Sequence, residues 1–383
     1  MQIPKESPTL ALDEKAKKLQ AEGREIINLT VGEPYFNTPK NISNASIQAI
    51  KKHFTHYTPT AGITELREAI SKKFLEEYKI KYDKEEIFVG AGTKYILYLA
   101  FQILCKKGDE VIVASPTWST YVEQIHMAGA KVVFVELKSP FKLKAKDVQK
   151  KISSKTKIIL LNTPSNPTGA TIDEQEIIKI GKLAREKNIF IISDEIYEKI
   201  IYEKKHFSIA SLGEKIKENT LIINGFSKSY AMTGWRIGYA CGSRSIIKSI
   251  TSLASQITSG VNSIAQMGAL EALRGNDTEI RKMIKEFEKN RNIAFDALNK
   301  IKKLKISKPE GAFYIFPNIS NLLGKKYKTS TAWAEALLEE EGVAVVPGEA
   351  FYSPSYIRIS YAVKTKTLEK GLRKINQFIK KSK

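Results

Sequence analysis

Short apolar runs recur through the middle of this chain with helical patterns between them. This alternation limits the folds open to it more than any other feature. Ile87-Phe88-Val89 precedes a helical stretch at 93–105, and Glu110-Val111-Ile112-Val113-Ala114 precedes another at 119–127. Further runs lie at 131–136, 157–161, 189–192, 221–223 and 236–240, with a helical pattern at 173–187. Runs this short and this continuously apolar read as strands buried on both faces. Alternation with helices then gives an α/β fold, a mainly parallel sheet covered by helices on both sides. In an open sheet of that kind the ligand sits beyond the carboxyl ends of the strands. The residues just after each run are therefore where chemistry is expected.

From about residue 277 the texture changes. A long charged helical stretch at 278–301 leads to strand-like runs at 311–316, 343–346 and 356–360 and a last helix at 365–380. The expected organisation is a large domain at 52–285 and a smaller α/β domain built from 1–51 and 286–383. A chain of 383 residues that is 42% hydrophobic can fill two cores. Cys105 and Cys241 lie among apolar or small residues without metal-ligand spacing. They predict reduced thiols, no metal site and a cytoplasmic location. Residues 1–10 hold no apolar stretch of the kind a signal peptide needs, and no run approaches the ~20 residues that span a bilayer. The net charge of +21 is spread along the chain, often beside acids, as in Lys285-Glu286-Phe287-Glu288-Lys289. Even the most basic run, eight Lys against Asp147 at 138–157, carries no nucleic-acid-binding motif. The charge reads as solvated surface that attracts small anions, and neither nucleic acid nor membrane is an expected partner.

The strand ends carry unusual residues. Gly90-Ala91-Gly92-Thr93-Lys94 opens a helix with small residues, so backbone N–H groups can approach a phosphate. Trp118, just past the next run, offers a flat face to a ring. Asn162-Thr163-Pro164-Ser165-Asn166-Pro167-Thr168-Gly169 is a stiff loop that presents amides. Asp194, at the tip of Ile191-Ile192-Ser193, is costly to bury unless a cation pairs with it. Lys228 sits among small residues in Gly225-Phe226-Ser227-Lys228-Ser229, with Arg236 eight positions on. Arg358, in Tyr356-Ile357-Arg358-Ile359-Ser360, places a guanidinium in a buried-looking strand, where it suits a carboxylate. Gly32, in Val31-Gly32-Glu33-Pro34, permits close approach to backbone.

Together these motifs resemble the class I, fold type I pyridoxal-phosphate (PLP) aminotransferases over nearly the whole chain. They are most similar to the branch that holds bacterial aspartate and prephenate aminotransferases. The resemblance implies that Lys228 is the catalytic lysine and the cofactor attachment point, since a primary amine can bond the cofactor aldehyde and later carry a proton. It implies that Ala91, Gly92, Thr93 and Arg236 hold the phosphate. Trp118 stacks on the ring, Asp194 pairs with its nitrogen, and Asn166 and Tyr197 reach its phenolic oxygen. Tyr57 is implied to reach the phosphate of a neighbouring subunit, which makes the enzyme a homodimer with shared active sites. Gly32, Trp118, Asn166 and Arg358 are the implied substrate contacts, Arg358 taking the α-carboxylate. The implied activity is ping-pong transfer of an amino group from an L-amino acid to a 2-oxo acid, with aspartate and glutamate/2-oxoglutarate as the pairs. Two departures keep other substrates open. Close members of the branch read Gly-Gly-Lys at the phosphate turn, and that Lys binds the distal carboxylate. Here Thr93 takes the position and Lys94 follows one step, or ~100° of helix, later. Val261 stands where a Pro is expected in Thr258-Ser259-Gly260-Val261-Asn262. Aromatic or small neutral amino donors, and a lyase or synthase on the same fold, are the alternative readings.

Overall fold

The computed structural model describes residues 8–381. Residues 1–7 and 382–383, the outer ends of the expected 1–51 and 286–383 segments and most of the 1–10 stretch, lie outside the described residues. The strands in chain order are β1 (Ile27–Asn28), β2 (Ile87–Gly90), β3 (Glu110–Ser115), β4 (Lys131–Glu136), β5 (Thr156–Asn162), β6 (Phe190–Asp194), β7 (Thr220–Gly225), β8 (Gly238–Cys241), β9 (Tyr314–Ile315), β10 (Val343–Ala344), β11 (Val346–Pro347) and β12 (Ile357–Ser360).

Seven of them form one sheet in the order β2-β8-β7-β6-β5-β3-β4. The pairs from β7 through β6, β5 and β3 to β4 are parallel, and β8 runs antiparallel to both of its neighbours. Successive residues of a strand point to opposite faces, and the core divides accordingly. Ile159, Ile191 and Ile222 enter one apolar cluster, and Ile158, Ile192 and Ile223 enter the other. The helix Glu174–Glu186 covers the first face with Ile177, Ile180, Leu183 and Ala184, the spacing of one helical stripe. Thr93–Leu104 covers the second face with Ile96, Leu97, Leu99 and Ala100. The expected run at 236–240 becomes a strand only from Gly238, because Arg236 takes a left-handed turn with φ 55°. Gly225 and Gly238 oppose each other there so closely that a Cβ on Gly225 would lie 2.9 Å from the Gly238 Cα.

A second apolar body is built on the antiparallel sheet β11-β12-β9 and the helices Thr278–Asn299, Ser330–Glu341 and Thr365–Lys381. Phe287, Trp333, Ile359 and Phe378 lie in its core. β1 joins this body by parallel pairing with β10. The helix Lys40–Lys51, expected with the smaller unit as part of 1–51, packs elsewhere. Ile42 enters the sheet cluster, and the Ser46 hydroxyl donates to the carbonyl of Ile264 in the helix Ser263–Arg274. Its apolar positions match that helix, and local periodicity does not reveal which neighbour a stripe will meet.

Candidate active site

The carboxyl ends of β3, β5, β6 and β7, together with β12, converge on a cavity of about 430 Å³. Gly32, Thr93, Lys94, Trp118, Asn166, Asp194, Tyr197, Lys228, Arg236 and Arg358 all line it or abut its wall. The helix that Thr93 opens points its N-terminus at this space, so the first-turn N–H groups, which no helical carbonyl can take, favour an anion there. Gly92 has φ 88°, and a Cβ on it would lie 2.9 Å from Arg236 Nη2. The positive φ favours glycine there, and the missing side chain leaves the guanidinium room beside the turn. Arg236 is itself braced by donating from Nη1 to the Thr233 carbonyl at 2.6 Å. Ala91 supplies backbone to the turn and packs its side chain on the core.

Asp194 is 2% exposed. The Tyr121 hydroxyl donates to its Oδ2 at 2.7 Å and the Ile196 N–H to its Oδ1 at 3.2 Å. Burial raises its pKa to about 6. The next acids along the chain, Glu195 and Glu198, are buried too, yet each has a basic partner. His206 lies 2.9 Å from Glu195, and Lys73 lies 2.7 Å from Glu198. Among the described residues Asp194 has no ion-pair partner of this kind. Arg358 is its mirror image. It is 3% exposed, donates from Nη1 to Asn166 Oδ1 at 3.0 Å and from Nη2 to the Thr30 carbonyl at 2.6 Å, and leaves Nε without a hydrogen-bond partner among the described residues. The ring of Tyr314 lies 4.4 Å and that of Phe351 5.0 Å from its guanidinium carbon. No carboxylate pairs with it among the described residues, although buried Arg291 pairs with Glu203 at 3.0 Å.

Lys228 donates to the Gly32 carbonyl at 2.7 Å. Its burial lowers the amine's pKa to about 8, against an upward pull from Glu33. A buried carboxyl, a buried guanidinium and an amine of lowered pKa thus face one cavity, and among the described residues neither Asp194 nor Arg358 has an ion-pair partner. Burying charge in that state is costly. The arrangement fits a ligand with a cationic ring N–H for Asp194, a phosphate for the Thr93–Arg236 end, and a second molecule with a carboxylate for Arg358. PLP with an amino acid has those groups.

One step after Thr93, Lys94 also reaches the site. Its ammonium lies 5.0 Å from the centroid of the Trp118 ring, on the cavity wall, and burial and Arg236 lower its pKa. Cα–Cβ bonds lean toward a helix N-terminus, so both first-turn side chains face the cavity and the long Lys stem reaches back over it. Tyr57 is outside the cavity and 94% exposed. Reasoning from sequence gave no role to Tyr121, Tyr314, Thr30, Glu33 or Lys17, which also surround the site. Tyr121, one helical turn after Trp118, and Thr30 and Glu33, which flank Gly32, had a local signal; Tyr314 and Lys17 come from distant segments and had none.

The aminotransferase class I and II family matches residues 24–375. The chain is 45% identical over 379 residues to the aspartate aminotransferase of Bacillus subtilis, covering 98% of this chain and 96% of the relative. It is 46% identical over 378 residues to a probable aspartate/prephenate aminotransferase of Aquifex aeolicus, covering 97% and 96%. The structure of Thermus thermophilus aspartate aminotransferase with maleate superposes with a TM-score of 0.93 at 38% identity, covering 98% of this chain and 97% of that one. The fold, its unpaired buried charges and these relatives agree: the chain belongs to the class I and II aminotransferases and is a PLP-dependent aminotransferase.

Proposed function

We propose that this enzyme transaminates aspartate and glutamate with their 2-oxo acids, and that Lys94 selects the distal carboxylate. The observation that carries this reading is the Lys94 ammonium on the cavity wall above Trp118. PLP supplies an electron sink and a carrier for the amino group. The chain supplies the rest. Asp194 keeps a proton on the ring nitrogen, and the Tyr121 hydroxyl aims its carboxylate. Thr93, Arg236 and the helix N-terminus bind the phosphate, and Ala91 and Gly92 give it room. Arg358 fixes Asn166 Oδ1, which leaves the Asn166 amide N–H groups and the Tyr197 hydroxyl as the donors that would hold the cofactor's phenolic oxygen. Trp118 covers the ring and excludes water.

Arg358 binds the α-carboxylate and holds the amino acid with its Cα proton near Lys228. The Lys228 amine, its pKa lowered to about 8 by burial, would take that proton as a base and, once protonated, would return it on the cofactor's side. A 2-oxo acid leaves before the second one enters, which is a ping-pong sequence. Lys94→Met tests the specificity. It keeps the stem and removes the charge, so kcat/KM for aspartate should fall roughly 10–100-fold, the worth of one charge-assisted contact, with alanine scarcely affected. Equal loss for both amino acids, or none for aspartate, would contradict the role of Lys94.

The site is proposed to be completed by a second copy. Tyr57 is solvent-exposed, as are the large apolar side chains of Ile47, Ile50, Phe54 and Ile257, which a second copy would cover. Ser263 ties this stretch down by donating to the Phe54 carbonyl at 2.7 Å. Light scattering should give twice the 43.0 kDa of one chain. A fully active monomer would sink the shared-site reading. We also take the chain as two units meeting at the site, the sheet body and the β9-β11-β12 body with β1, and assign the helix Lys40–Lys51 to the former. The free thiols of Cys105 and Cys241 suit a reducing, cytoplasmic setting.

A further inference from the structure

We propose that Tyr314 is a two-ended positioning residue, whose hydroxyl sets the donor strength of Tyr197 while its ring seats Arg358. The inference rests on the reading of the site given above and adds a residue that couples its cofactor side to its substrate side. Tyr314 is buried in β9, whose pairing with β12 sets Tyr314 opposite Ser360, two positions from Arg358. Its hydroxyl lies 3.0 Å from the Tyr197 hydroxyl. Its ring lies 4.4 Å from the Arg358 guanidinium carbon. A Cβ at Gly32 would come within 3.3 Å of that same hydroxyl, so the chain that carries the Lys228 acceptor also closes on Tyr314.

A phenol has one proton. When Tyr197 gives its proton to the cofactor's phenolic oxygen, its own oxygen can only accept, and Tyr314 is the hydroxyl placed to donate to it. Hydrogen bonds in such a chain polarise one another, so the Tyr314 donor makes Tyr197 a better one. A stronger donor favours the anionic oxygen on the cofactor and lowers the pH at which its absorbance changes. The ring acts separately. A guanidinium buried without a carboxylate gains from an aromatic face and is held in its plane by it.

The two ends separate by mutation of the PLP-loaded enzyme. Tyr314→Phe keeps the ring and removes the hydroxyl. The cofactor's absorbance titration should move up by roughly one pH unit, while the Kd for maleate, an unreactive dicarboxylate, stays within about twofold. Tyr314→Leu should show the same upward move and bind maleate about tenfold more weakly. In a Tyr197→Phe background, Tyr314→Phe should no longer move the titration, which a merely structural role would not produce. An unmoved titration in Tyr314→Phe, or a shift that persists without the Tyr197 hydroxyl, overturns the first half. Wild-type maleate binding by Tyr314→Leu overturns the second. Failure of the wild-type protein to take up PLP would instead defeat the underlying reading of the site.

Discussion

Lys228→Ala retains the fold and the phosphate grip but turns over at least about 10⁴-fold more slowly than the wild type, the upper range for a positioned acid–base group. The expectation follows from where the amine sits. It is buried, it faces the cavity, and its pKa of about 8 leaves a useful neutral fraction at physiological pH. Lys17 and Lys94 also line the cavity, but the Lys94 ammonium sits over the Trp118 ring and not at the Gly32 carbonyl that the Lys228 amine holds. Uptake of PLP by the wild-type apoprotein should quicken as pH rises through about 8, because only the neutral amine attacks an aldehyde. The variant should bind PLP without that dependence. Single-turnover absorbance with aspartate measures the loss, and a variant within tenfold of wild type would remove Lys228 from the chemistry.

Asp194→Asn should make the apoprotein more stable and the enzyme about 10²–10³-fold slower, the usual worth of one preorganised charge. The sign of the stability change follows from the shift. The folded pKa of Asp194, about 6, lies above the ordinary carboxylate value, so folding favours the protonated form. The wild-type carboxyl is unproblematic below about pH 4. It becomes a burden as pH rises through 6, where the charged form is buried without a cation. Near pH 7.5 that burden is on the order of 3 kcal/mol, from about two pK units at 1.36 kcal/mol each. Asparagine keeps the Tyr121 contact and lacks the charge. Urea unfolding of both apoproteins at pH 4 and 7.5 should show a gap in favour of the variant at the higher pH only. PLP should close or reverse the gap, since its ring N–H is the missing partner. A variant less stable than wild type at pH 7.5 would mean that Asp194 already has its counter-charge within the chain.

Much of this site could be read in the sequence because its groups sit at strand ends, where an apolar run stops abruptly at a residue it has no reason to carry. Asp194 after Ile191-Ile192-Ser193 and Asn166 in its proline-rich loop are of that kind. The place of Lys94 was left open by the sequence, because a ~100° step counts residues around an axis without saying where the axis aims. Tyr314 had no signal at all. Its importance comes from two long-range contacts, to Tyr197 and Arg358, that exist only once β9 lies beside β12. The helix Lys40–Lys51 shows the same limit at the level of the fold: the assignment of 1–51 to the smaller unit could not tell that this helix meets Ser263–Arg274.

The central claim is that this aminotransferase reads a dicarboxylic amino acid. Mixing the PLP-loaded enzyme with single amino acids, without any 2-oxo acid, and following the cofactor's absorbance tests it most directly. Aspartate and glutamate should convert the cofactor to its amino form at concentrations well below those at which alanine or phenylalanine act. A response to aromatic or small neutral amino acids but not to aspartate would contradict the claim and take Lys94 out of substrate recognition.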